Sequence, residues 1–287
     1  MKITQIKQSS AGYPDKLRHL HAVPSAIKIA GTDLGGLLKN KTLGVVGSRK
    51  ATSYGREVTE KFVSLSASRK IVIISGLAFG IDSIAHKAAI TNGGKTIAVL
   101  PSGLMQIYPA SHRSLAKNII EKGGTLISEY DDEFMPRRES FIQRNRIIAA
   151  LSDVLLIPEA AEKSGSLHTA RFALELGKPV LAVPGNINSP TSKGTNNLIK
   201  SGAILVNSEQ DVFDALGINP NKAAQQEIFA DSAEELKLIK LIKSGISSGD
   251  QLQHESKLNI DVFQQTLTML ELKGAISPLG NNYWRLN

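Results

Sequence analysis

Between residues 42 and 217, short continuous apolar runs alternate with stretches of helical period. The runs are TLGVVGS (42–48), KIVIISG (70–76), TIAVLPSG (96–103), TLISEY (125–130), DVLLIPEA (153–160), KPVLAVPG (178–185) and AILVN (203–207). Continuous rather than alternating apolarity marks strands covered on both faces, which is the habit of parallel sheets. The intervening segments predict crossover helices at 55–69, 82–92, 111–122, 141–151, 166–177 and 195–202. Strand and helix in alternation give an α/β, doubly wound, mostly parallel sheet. Seven units, with no eighth to close a ring, argue against the eight-stranded barrel.

The flanks follow other rules. Residues 1–41 read as a lead-in packed on the core, with one short helix in YPDKLRHLHAVPSAIKIAG (13–31). Residues 218–233 (INPNKAAQQEIFADSA) are polar, carry Pro220 and read as a linker between the 42–217 domain and a 234–287 domain. In that last segment EELKLIKLIKSG, DQLQHESKL and NIDVFQQTLTMLELKG predict three helices, the first ending at Gly245 and the third at Gly274. AISPLGNNYWRL then predicts two strands around a Gly-Asn-Asn turn. Three helices followed by a hairpin make a small C-terminal winged-helix domain.

Charge changes the picture most. The chain of 287 residues has a formal net charge of +8. From Lys222 onward there are 7 basic and 8 acidic residues, whereas residues 1–221 hold 27 basic and 18 acidic. The positive field therefore belongs to the large domain and suggests a polyanionic partner. The near-neutral winged helix reads as a protein-interaction or regulatory module rather than a duplex reader. The chain has no cysteine, which removes disulfides, thiolate catalysis and zinc–thiolate or iron–sulfur sites and agrees with a reducing cytoplasm. No secretory leader is expected from MKITQIKQSS, and the apolar runs are too short to span a bilayer.

Ligands of open α/β sheets bind beyond the carboxyl ends of the strands. Those ends are small and polar here: Gly47-Ser48-Arg49, Ser75-Gly76, Pro101-Ser102-Gly103, Ser128-Glu129, Glu159-Ala160 and Pro184-Gly185. Small residues allow close approach, and helix starts offer free N–H groups to anions. The usual nucleotide fingerprints are missing. The first turn lacks G-x-G-x-x-G, no acid follows Ser75-Gly76, and GGKT (93–96) precedes a strand instead of following one. Asp82 and His86, four apart on one helix, read as a pair bracing their loop rather than a metal or acid–base pair. A nucleotide hydrolase on the same sheet needs an acid in the stretch corresponding to KSGSLHTAR (163–171), and Ala170 or Arg171 stands there. That hydrolase and a non-catalytic small-nucleotide sensor stay open at this point.

In chain order, VGSR (46–49), SGLAFGIDSIAH (75–86), RNRIIAALS (144–152), EAAEKSGSLHTA (159–170), AVPGNI (182–187) and KGTNNLIKSGA (193–203) resemble the DNA processing protein A (DprA/Smf) family. The likeness spans about residues 13–217, and the small C-terminal domain is similar to the family's winged helix. The resemblance implies a Rossmann-like domain that binds single-stranded DNA, protects incoming DNA, dimerises and helps load the RecA recombinase during natural transformation. Single-strand-binding protein is a further possible partner, and no catalysis or cofactor is implied. The departures are local: Ile142 follows Phe141 where the family usually has proline, and Pro158 and His168 are unusual residues at their positions.

Carried over by motif, the pocket comprises Gly47, Ser48, Arg49, Ser75, Gly76, Phe141, Arg144 and the turn Ser164, Gly165, Ser166. Charge adds Arg138 and Lys163. Single strands are held by cationic grooves with aromatic platforms, and Phe141 is the platform expected here, with Phe134 on the other side of Arg137 and Arg138 and Phe79 in the Ser75–Asp82 loop. Arg137 and Arg138 are expected to precede the helix. Arg144 and Arg146, two apart, must face different ways, so Arg144 is assigned to the ligand edge and Arg146 to bracing Glu129 or Glu159.

Overall fold

The computed structural model describes residues 2–218, 232–273 and 275–286. Two compact units are present, Met1–Gly217 and Ile218–Asn287. The first is built on a nine-stranded sheet of order β1-β2-β6-β5-β4-β3-β7-β8-β9. Its parallel part consists of β3 (Thr42–Val45), β4 (Val72–Ser75), β5 (Thr96–Val99), β6 (Thr125–Ser128), β7 (Val154–Ile157), β8 (Val180–Ala182) and β9 (Ile204–Leu205). Every residue of β3 to β8 is buried, which is why these runs are continuously apolar.

The crossovers cover both faces. On one, Ile147–Leu151 of α6 (Arg138–Leu151) pack with Ile74, Ile97, Val99 and Ile127. On the other, Leu115, Ala116 and Ile119 of α5 (Arg113–Glu121) pack with Ala98, Leu100 and Leu126. The remaining crossovers are α3 (Ser53–Ser68), α4 (Ile81–Thr91), α7 (Ser166–Glu175) and α8 (Lys193–Lys200). A further helix, α9 (Glu209–Ala215), closes the unit.

The lead-in differs from its expectation. It contributes two strands, β1 (Ile3–Lys7) and β2 (Ala26–Gly31), besides α1 (Asp15–Arg18) and α2 (Leu34–Leu38). β1 pairs antiparallel with β2, and β2 antiparallel with β6, so the lead-in extends the sheet rather than merely resting on it. β1 is a half-exposed edge whose ITQIK pattern carries little apolar signal. Lys16 locks this region to the core: its Nζ donates to Asp153 at 2.6 Å, to Thr42 Oγ1 at 3.1 Å and to Leu151 O at 3.2 Å. The 203–207 run yields only the half-exposed pair Ile204–Leu205.

The second unit has α10 (Ala233–Lys243), α11 (Gly249–Ser256), α12 (Ile260–Leu272) and the hairpin β10 (Ile276–Gly280) with β11 (Tyr283–Leu286). Leu238, Ile242, Leu252, Phe263, Leu267, Leu270 and Ile276 form its core. Asn281 and Asn282 turn the hairpin with positive φ of 49° and 59°, a conformation asparagine tolerates. Most of the sequence-read linker, residues 219–231, lies outside the described residues, as does Gly274.

Candidate nucleic-acid interface

The order of the sheet reverses at β3, which has β4 on one side and β7 on the other. Such switch points open a crevice beyond the carboxyl ends of the strands. A cavity of about 860 Å³ lies there. Ten of the twelve sequence-assigned residues line it: Gly47, Ser48, Arg49, Arg138, Phe141, Arg144, Lys163, Ser164, Gly165 and Ser166. Ser75 and Gly76 do not. The Ser75 hydroxyl is buried and donates to Val45 O at 2.6 Å, tying β4 to β3. A side chain at Gly76 would collide with the Arg144 guanidinium, so that glycine makes room for an arginine rather than for a ligand.

The turn after β3 is held by backbone. Ser48 N donates to Glu159 O at 2.8 Å, and Ile81 N donates to Ser48 O at 3.1 Å. A Cβ on Gly47 would sit 2.7 Å from both Glu159 O and Ile81 Cγ1, so only glycine fits. Arg49 emerges exposed from this turn, with its guanidinium carbon 5.1 Å from the centroid of the Phe141 ring. Phe141 also meets Tyr108 edge to face at 5.5 Å. Tyr108 lines the cavity and is 45% exposed, so the platform is a pair of rings with a cation on it. Phe79, 50% exposed, meets His112 at 4.9 Å. Phe134 does not join them; it stacks on Tyr130 at 4.4 Å, away from the cavity lining.

Arg144 is buried, and its Nη1 donates to Gly76 O and Val99 O, at the ends of β4 and β5. Burial, offset in part by Asp82, lowers its pKa to about 10. Asp82 is itself buried and accepts from Gly76 N at 3.1 Å and Ala78 N at 3.3 Å. Burial raises its pKa above the usual carboxylate range, with Arg144 opposing. Asp82 thus braces its loop, but not with His86. His86 turns its Nδ1 to Thr96 Oγ1 at 2.7 Å, and burial lowers its pKa to about 3. Arg146 pairs with Glu129. Asn145 links neighbouring loops, accepting from Arg144 Nε at 3.1 Å and donating to Gly165 O at 3.4 Å.

Arg138 is the first residue of α6 and not, as expected, in the loop before it; Arg137 precedes the helix, with Ser140 Oγ accepting from its N–H at 2.9 Å. Across the cavity, α7 begins at Ser166, and the Ser164 and Ser166 hydroxyls bond at 2.8 Å. Thr169 Oγ1, one turn into α7, is buried on the lining without a hydrogen-bond partner among the described residues. Arg49, Lys50, Arg138, Arg144 and Lys163 supply the cations of the lining, and Asp82 is its carboxylate. Glu159 is turned away: it is buried and accepts from the backbone N–H and hydroxyl of Thr52, at the start of α3. Sequence reasoning missed Lys50, Tyr108 and Thr169. Tyr108 follows the Pro101-Ser102-Gly103 strand end, where an aromatic beside a proline was the available signal.

The chain matches known proteins over both of its units. The family model for DNA recombination-mediator protein A matches residues 4–217, and that for the DprA winged helix domain matches residues 222–282. Protein Smf of Escherichia coli (strain K12) is 36% identical over 289 aligned residues, covering 98% of this chain and 77% of its own length. DNA processing protein DprA of Bacillus subtilis (strain 168) is 39% identical, covering 75% of this chain and 71% of its own. Among solved structures, DprA from Streptococcus pneumoniae superposes with a TM-score of 0.69 at 39% identity, covering 74% of each chain. DprA from Helicobacter pylori, whose structure addresses its single-stranded DNA binding mode, gives 0.68 at 32% identity, covering 75% of this chain and 95% of its own. With its large unit matched end to end and its small unit matched as the associated winged helix, the chain belongs to the DprA/Smf family of DNA-processing recombination mediators.

Proposed function

We propose that the cavity beyond β3 and β7 holds single-stranded DNA, and that the protein uses this grip to protect incoming DNA and help load the RecA recombinase during natural transformation. The observation that carries the reading is the joining of a cationic lining to a pair of rings, the half-buried Phe141 and the exposed Tyr108, with Arg49, Lys50, Arg138 and Lys163 around them. Cations take the phosphates, and ring faces take bases regardless of sequence. The start of α7, with Ser164 and Ser166 on the lining, offers donors to a phosphate. A duplex hides its bases and gains nothing from the rings. The H. pylori relative, with its single-stranded DNA binding mode, supports the same reading.

The reading includes a homodimer and, as further partners, RecA and single-strand-binding protein. It assigns no catalytic residue and no cofactor. Where a nucleotide hydrolase needs its acid stand Ala170 and Arg171, and the carboxylate of Glu159, beyond the end of β7, is committed to Thr52. Among the described residues no helix is long and apolar enough to cross a membrane. The winged helix is assigned to protein contacts: α12 (IDVFQQTLTMLEL), its counterpart of a recognition helix, contains no lysine or arginine.

The test is a titration of oligo-dT against a matched duplex at two salt concentrations, with a parallel search for free base released from nucleoside monophosphates. Preference for the single strand and weakening with salt are expected. Preference for duplex, or base release that vanishes in Glu159→Gln, would overturn the reading.

A further inference from the structure

A second cavity, of about 600 Å³, runs beside α5 and shares no lining residue with the first. Its volume is in the ~300–1,000 Å³ range of sites that take small ligands or side chains. The floor is aliphatic: Ile107, Ala116 and Ile120 with Leu126 of β6 beneath. The rim is cationic, with Lys2 beside β1 and Arg113 and Lys117 on α5. Lys117 has an exposed partner, Glu121, at 3.6 Å, a contact of small net worth. Lys2 and Arg113 have no ion-pair partner among the described residues.

We propose that this groove is a docking site for a protein partner, which it grips through an acidic peptide segment carrying apolar side chains. The floor rewards removal of aliphatic or aromatic groups from water, at about 25 cal/mol per Å² of apolar surface. The rim supplies carboxylate partners, and Arg113 can take one in a two-pronged bond. Charge complementarity selects the occupant. A purely apolar segment would leave Lys2 and Arg113 unanswered. A nucleic acid would meet no aromatic ring in the lining on which to stack a base. The site stands apart from the DNA-binding reading and does not depend on it.

The experiment uses the full chain and a fluorescein-labelled acidic peptide ending in leucine and phenylalanine, followed by anisotropy, with oligo-dT affinity measured on the same samples. Saturable binding is expected. It should weaken roughly tenfold or more in Arg113→Glu and in Lys2→Glu, and equally when serines replace the peptide's apolar residues. Oligo-dT affinity should stay unchanged in both variants. Arg113 is exposed and opens α5, where an acid suits the helix, so the variant keeps its fold. The proposal is overturned by absent or non-saturable binding, by undiminished binding in both variants, or by a serine peptide that binds as well. Displacement of the peptide by oligo-dT, or loss of oligo-dT affinity in Arg113→Glu, would assign the groove to nucleic acid instead and equally overturn it.

Discussion

Arg144 and Arg49 line the same cavity and hold their charge differently. Arg144 is buried with its Nη1 on two strand-end carbonyls, 68 and 45 residues away in sequence. Its main role is to fix the floor. Arg144→Ala would leave Gly76 O and Val99 O unanswered and Asp82 without its compensating cation, a loss of about 3–5 kcal/mol in urea denaturation. Unchanged stability would show the bracket to be dispensable. Arg49 has no ion-pair partner among the described residues and projects outward. Under the proposed function, Arg49→Ala lowers oligo-dT affinity alike for all sequences and reduces the salt slope by about 0.7 for one lost phosphate contact. An unaltered slope would remove Arg49 from the strand's path. Composition announced both arginines, but their division of labour depends on carbonyl positions that no local pattern encodes.

At the scale of elements, α4 is seated on β5 by a neutral imidazole. His86 has an ordinary pKa of 6.5, lowered to about 3 first by burial and then by Arg144 and His112. The unfolded chain therefore takes up a proton as pH falls below about 6.5, while the folded chain does so only near 3. The stability due to neutral His86 is complete above pH 6.5 and is lost progressively toward pH 3. Asp82, with a raised pKa, acts in the opposite sense, so the difference between variant and wild type is the useful quantity. In His86→Gln, the urea midpoint should fall less steeply between pH 6.5 and 4; an identical pH profile would contradict this account. The elements themselves were unevenly legible. β3 to β8 announce themselves because double-sided burial forces unbroken apolar runs. β1 and β2 were not seen: β1 is a half-exposed edge with little apolar signal, and β2, although it buries Ile27, Ile29 and Ala30, pairs with β6 about a hundred residues on.

For the whole molecule, the excess of positive charge in residues 1–221 over the near-neutral remainder places the electrostatic attraction on one unit. The single-strand affinity should fall with a log–log salt slope of roughly −2 to −4, from a few neutralised phosphates. Introducing Gln264→Arg and Gln265→Arg on α12 should strengthen duplex binding while leaving the oligo-dT affinity within about twofold. A matching gain for oligo-dT would mean that the winged helix already meets the single strand. The cavity's position was legible in outline because ligands of such sheets sit beyond the carboxyl ends of the strands, which the apolar runs marked, whereas the switch point at β3 depends on a strand order that alternation leaves open. Its aromatic half was legible only at Phe141. Tyr108 comes from an irregular segment, where neither helical nor strand period constrains where a ring will point.

The resting place of Arg49 has a thermodynamic consequence. Under the proposed function, a nucleobase that takes the face of Phe141 occupied by that guanidinium must evict it, and the freed cation then stands beside the incoming backbone. Stacking and charge neutralisation become two halves of one exchange rather than separate gains. An abasic nucleotide at that step leaves Arg49 where it is and forfeits both. Its penalty should exceed the ~1–3 kcal/mol of a lost stack alone, and it should shrink toward that value in Arg49→Ala.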